Sequence, residues 1–128
     1  MSKLVIRTEA APAPFQGAPY SQAIRSGDFV FVSGQLGLKP GETTLPEGIA
    51  AQTTQVLANL AAILAAAGSS PAHIVKTTVF LADLGDFAAM NELYAPFVGD
   101  QPPARSTFQV AKLPSAALVE IEAIARVA

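Results

Sequence analysis

Two stretches of the chain repeat apolar residues at helical spacing, and the remaining apolar positions fall in short alternating or β-branched runs. From Gly48 to Ala67, residues Ile49, Val56, Leu57, Leu60, Ile63, Leu64 and Ala67 recur on one helical face, and Gly68 suits the stop that follows. A second helix begins at Asp86, carries Phe87, Met90, Leu93, Tyr94 and Phe97 as its apolar stripe, and ends in Gly99 to Pro103. Strand signals surround these helices. They are LVIRT at 4–8, two strands in YSQAIRSGDFVFVSGQ about the turn Ser26-Gly27-Asp28, and IVKTTVFLAD at 74–83. Two closing strands, RSTFQVAK and ALVEIEAIARV, are joined through Leu113-Pro114-Ser115. APAPFQGAP reads as a loop, Gly34, Gly37, Pro40, Gly41 and Pro46 mark an irregular connection, and Ser70-Pro71 reads as the cap of a brief turn. The order β(β)β–α–β–α–β–β predicts one α+β domain over 1–128, a sheet with two helices packed on one face.

Alternation sorts the side chains of the last two strands. Arg105, Thr107 and Gln109 point one way, and Ser106, Phe108 and Val110 the other. On the final strand Val119, Ile121, Ala123, Ala125 and Val127 form the apolar face, opposite Glu120, Glu122 and Arg126. If these strands form a hairpin with matching apolar faces, Arg105 and Glu120 share the face away from the helices, roughly 7–8 Å apart on a diagonal. Two readings follow. The charges decorate a solvated face, or another subunit covers that face and leaves a pocket holding one cation and one general base.

Composition narrows the chemistry. The 128 residues contain no cysteine and a single histidine, His73, which exclude disulfides, thiolate chemistry and a histidine triad. The formal charge is −2, with no basic run, a poor footprint for nucleic acid. Apolar residues reach 51% and charged residues only 14%, against about 25% charged in an average domain. That surplus favours a covered sheet face. The most apolar stretch, Ile49 to Ala67, is broken by Gln52, Thr53, Thr54, Gln55 and Asn59 and reads as no membrane span. The first residues lack the apolar core of a signal peptide, so a cytoplasmic protein is expected.

Seven segments, in matching order, are similar to the RidA/YjgF family of reactive-intermediate deaminases. They are APYSQA (18–23), FVSGQ (31–35), AQTTQVLANLAAILAAAG (51–68), IVKTTVFLAD (74–83), MNELYAPF (90–97), PPARSTFQVAKLP (102–114) and VEIEAIA (119–125). The resemblance implies a chorismate-mutase-like fold and a homotrimer with pockets at the subunit interfaces. It also implies hydrolysis of 2-enamino and 2-imino acids, of the 2-aminoacrylate and 2-iminopropanoate type, to 2-oxo acids and ammonia. By the same resemblance Arg105 binds the substrate carboxylate and Glu120 holds or activates the attacking water. Tyr20, Ser33, Asn91 and Thr107 match positions that line the family pocket. Many members carry cysteine where this chain has Thr107, and G-P-Y where it has G-A-P-Y.

The residue types suit that chemistry. A guanidinium offers a planar fork to a carboxylate, and a partly desolvated carboxyl group can aim water at C2 and pass protons to the leaving nitrogen. No metal or cofactor is required. A non-catalytic module sensing 2-oxo acids through the same cleft is the alternative, although Glu120 would be superfluous to it. A ribonuclease reading fits the acidic composition poorly. His73 reads as a surface or capping residue, and Tyr94 and Phe97 as core.

Overall fold

A computed structural model describes residues 3–128. Strands β1 (Leu4–Ile6), β2 (Ala23–Ser26) and β3 (Phe29–Gln35) form an antiparallel meander, followed by helix α1 (Ile49–Ala66) and strand β4 (Ile74–Leu81). Helix α2 (Phe87–Val98) then leads to β5 (Ala104–Gln109) and β6 (Val119–Arg126). The six strands lie in the order β1-β2-β3-β6-β4-β5. The α+β architecture with two helices is as the patterning predicts. The strands predicted at 4–8, 74–83 and 105–112 are shorter in the structure, ending at Ile6, Leu81 and Gln109.

Local signals account for the surest elements. Ser26 pairs with Phe29 across a two-residue loop, which Gly27 permits by adopting φ 59°. Helix α1 stops where Gly68 turns left-handed at φ 81°. There Gly68 N–H donates to the Ala65 carbonyl and Ser69 N–H to the Leu64 carbonyl, the paired bonds of a Schellman stop. Although α1 is apolar and long enough to cross a membrane by length and composition, it packs on the sheet. Val56, Leu60, Ile63 and Leu64 are buried there with Val30, Val79, Val119 and Ile121, each aliphatic side chain contributing about 1.5–3 kcal/mol. Two of the polar residues on its inner side are well partnered, whereas the buried Thr53 hydroxyl finds no partner among the described residues. Asn59 donates to the Leu36 and Leu38 carbonyls, while Gln52 accepts from Leu118 N–H and donates to the Pro46 carbonyl.

The expected hairpin of the last two strands does not form. β6 inserts between β3 and β4, antiparallel to both, and β5 pairs with β4 in parallel after the α2 crossover. Thr77 pairs with Arg105 on one side and Ala123 on the other, while Phe80 pairs with Phe108 and Glu120. Pairing partners share a face. Arg105 and Thr107 therefore face the helices, and Glu120 faces away with Phe80 and Phe108. The expectation that Arg105 and Glu120 share one face is overturned. Matching apolar parity misled because β5 is an edge strand at the margin of the helix layer. Its inner positions meet polar and aromatic residues of α2 rather than the aliphatic core.

The face away from the helices carries exposed aromatic residues among polar ones. Phe29 and Phe31 are exposed on β3 and Phe108 on β5, and the Phe80 and Phe108 rings meet edge to face with centroids 5.3 Å apart. Between them the rows Phe31–Ile124–Lys76 and Glu122–Thr78–Ser106 cross the sheet.

Candidate active site

The site residues expected from sequence fall into two groups on opposite faces of the sheet. The first gathers around Glu120. β3 bulges between Val32 and Gln35, which places Ser33 and Gly34 outside the regular ladder against β6. Gly34 has no side chain, and the Glu120 carboxylate occupies the space that a Cβ there would need. Ser33 donates from its hydroxyl to the Ser21 carbonyl at 2.6 Å, tying the bulge to the segment that carries Tyr20. Tyr20 accepts from Phe15 N–H and lines a small cavity with Gly34 and Gln35. Gln22 anchors that loop, donating to the Thr8, Ala11 and Pro12 carbonyls and accepting from Thr8 N–H. Glu120 is half-buried, and its pKa is raised above the ordinary 4.5, first by desolvation and then by the neighbouring Glu122 charge. A carboxyl group so placed is a better proton acceptor than one in water.

The second group gathers around Arg105. Its Nη1 donates to Asn91 Oδ1 at 2.8 Å, and its guanidinium carbon lies 4.8 Å from the Tyr94 ring centroid and 5.4 Å from that of Phe87. Asn91 takes only one of the five N–H donors, so a fork remains for a carboxylate. Arg105 opens onto a cavity of about 360 Å³ lined also by Asn91, Tyr94, Ala95, Val98, Pro102 and Pro103. Thr107 lies two residues along the same face of β5, and its buried hydroxyl has no hydrogen-bond partner among the described residues.

Sequence reading missed Gly34, Phe87 and Thr77 and read Tyr94 as core alone. The spacing 87, 91, 94 puts three side chains on one helical face and was the available signal. His73 is exposed, bonded through Nδ1 to the Ser70 hydroxyl, as a capping residue would be.

The chain matches the family model described as Endoribonuclease L-PSP over residues 8–127. This chain belongs to that family, which includes the Rid proteins. A RutC family protein of Pyrococcus horikoshii is 50% identical over 96% of this chain and 97% of its own length. The mouse protein named 2-iminobutanoate/2-iminopropanoate deaminase is 47% identical over 94% of this chain and 89% of its own. The crystal structure of RidA from Psychrobacter superposes with a TM-score of 0.92 at 44% identity, covering 97% of this chain and 99% of that one. The six-stranded sheet with two helices is thus the Rid fold.

Proposed function

We propose that this protein is a 2-iminobutanoate/2-iminopropanoate-type deaminase, hydrolysing 2-imino acids and their enamine tautomers to 2-oxo acids and ammonia. The observation that carries the reading is the half-buried Glu120 carboxyl, its pKa raised, beside a bulge kept open by Gly34. The substrate carboxylate sits on the free donors of Arg105. Glu120 takes a proton from water as the water oxygen bonds to C2 of the protonated imine, and the C=N π electrons move to nitrogen, leaving a neutral amine and a C2 hydroxyl. Glu120 returns that proton to the amine, the C2–N bond breaks with its electron pair leaving on ammonia, and the hydroxyl gives its proton to Glu120, which passes it to solvent, as the C2=O bond of the 2-oxo acid forms. Water and imino acid supply every atom. The names and near-full-length identity of the relatives support this substrate class.

Within one chain Arg105 and Glu120 face away from each other. The site is therefore composite in our reading, Arg105, Asn91 and Thr107 coming from one subunit and Glu120, Tyr20 and Ser33 from its neighbour in a homotrimer. The exposed Phe29, Phe31 and Phe108 supply apolar surface for such an assembly. A heterologous contact of this kind closes into a ring when the rotation fits.

Complementation tests both parts. Arg105→Ala and Glu120→Gln, made separately, should each lower release of 2-oxobutanoate from enzymatically generated 2-iminobutanoate by about 10²–10⁴-fold. Refolded together in equal amounts, they should regain about a quarter of the parent rate, since one site in four draws both intact residues. Near-normal turnover by Glu120→Gln removes the base. Absence of recovery in mixed assemblies removes the shared site.

A further inference from the structure

The guanidinium of Arg105 is held by more than its hydrogen bond to Asn91. Phe87, Asn91 and Tyr94 stand at i, i+4 and i+7 on α2, one face of a helix. The two aromatic rings lie 5.4 and 4.8 Å from the guanidinium carbon, and the amide bond at 2.8 Å sets the rotation of the fork. Tyr94 is itself fixed. It is 6% exposed, and its hydroxyl bonds to that of Thr77 at 2.6 Å. Thr77 is 1% exposed on β4, directly across the ladder from Arg105 on β5. The contacts thus close a loop from β5 to α2, to β4, and back to β5.

We infer that Phe87 and Tyr94, the latter braced by Thr77, are positioning residues that fix the Arg105 guanidinium for the substrate carboxylate before substrate arrives. An arginine side chain has many accessible rotamers, and a loose residue would lose most of that freedom on each binding event. Stacked between α2 and β5, Arg105 gives it up on folding instead. The apparent affinity of a partly competent site falls by the competent fraction. Releasing the clamp should therefore weaken carboxylate binding even though neither ring need touch the ligand.

This inference rests on the deaminase reading of the site, and the experiment separates the two. The affinity of 2-oxobutanoate is measured by calorimetry for the parent and for Arg105→Lys, Phe87→Leu, Tyr94→Phe and Tyr94→Leu, with circular dichroism confirming each fold. Phe87→Leu and Tyr94→Leu should weaken binding by about ten-fold if the competent fraction falls to about a tenth. Tyr94→Phe keeps the ring and should stay within about three-fold, losing only the Thr77 bond. In an Arg105→Lys background Phe87→Leu should cost nothing further, whereas a general structural role would weaken both backgrounds alike. If Tyr94→Leu fails to fold, the exposed position Phe87 decides. Should Arg105→Lys weaken binding while Phe87→Leu matches the parent, the clamp is overturned and the site stands. Should Arg105→Lys bind like the parent, the carboxylate site itself is wrong.

Discussion

Replacing Gly34 with alanine would test the proposed catalytic carboxylate without touching it. A Cβ at this position would lie 2.8 Å from Glu120 Cδ and 3.1 Å from Cγ, with a carboxylate oxygen closer still. Carbon atoms normally approach no nearer than about 3.5–4.0 Å, so the carboxyl group must retreat by roughly 1 Å. The obstruction is the far end of a flexible side chain, and the strand backbone accepts alanine, so the cost to folding is small. Alanine in place of a strand glycine gains about 0.5–1 kcal/mol, which offsets the strain. Catalysis should respond in the opposite direction. A misplacement of this size costs about 10²-fold, or about 2.7 kcal/mol of barrier. The assay pairs initial rates of 2-oxobutanoate formation from 2-iminobutanoate with a thermal melt. Gly34→Ala should lose about two decades of kcat with an unchanged or raised Tm. Parent-like turnover would mean that Glu120 does not act from the position seen here. A drop in Tm of several degrees would mean that the bulge, rather than the carboxylate, is what alanine disturbs.

Three further outcomes are expected. A general base works ionised, so kcat/KM should rise with pH through the raised pKa of Glu120. Glu122→Gln removes the second cause of that shift and should move the acid limb to lower pH, whereas an unmoved limb in the pH–rate profile would assign it to another group. Stability carries the matching sign: the folded chain holds the Glu120 proton longer than the unfolded chain. Between the ordinary glutamate range and the raised pKa, Glu120 therefore subtracts stability as pH rises, which melts of Glu120→Gln across pH should show flattened. Thr107→Cys should keep kcat/KM within a few-fold, because the Thr107 hydroxyl has no bond among the described residues to lose. A fall as large as that of Glu120→Gln would make the hydroxyl a participant in the reaction.

What could be read from the chain beforehand was whatever local pattern dictates. The apolar spacing of Val56, Leu57, Leu60, Ile63 and Leu64 and the stop at Gly68 announced α1, and Ser26-Gly27-Asp28 announced the hairpin that forms. The alternation of Val119, Ile121, Ala123 and Ala125 identified the buried side of β6, and hence the outward direction of Glu120. Strand neighbours were not legible, because no local signal says that β6 will separate β3 from β4. Phe108 looked core-facing by its type, yet it joins Phe80 on the outer face. That error placed Arg105 beside Glu120. The clamp on Arg105 was hidden for a related reason: an aromatic stripe on a helix reads as core, and Tyr94 is core while also lying under the guanidinium.

The place of β6 sets an order on biosynthesis. This strand bonds to β3 through pairs such as Val30 with Ala125, and to β4 through pairs such as Val79 with Ile121. It also leaves the ribosome after the other five strands. Until it emerges, β3 and β4 each present an unfilled edge that invites pairing with other nascent chains. The contacts that close the gap span much of the sequence, the kind that form slowly. Glu120 travels on the same strand. Sealing the sheet and delivering the carboxylate proposed as the base are therefore a single event.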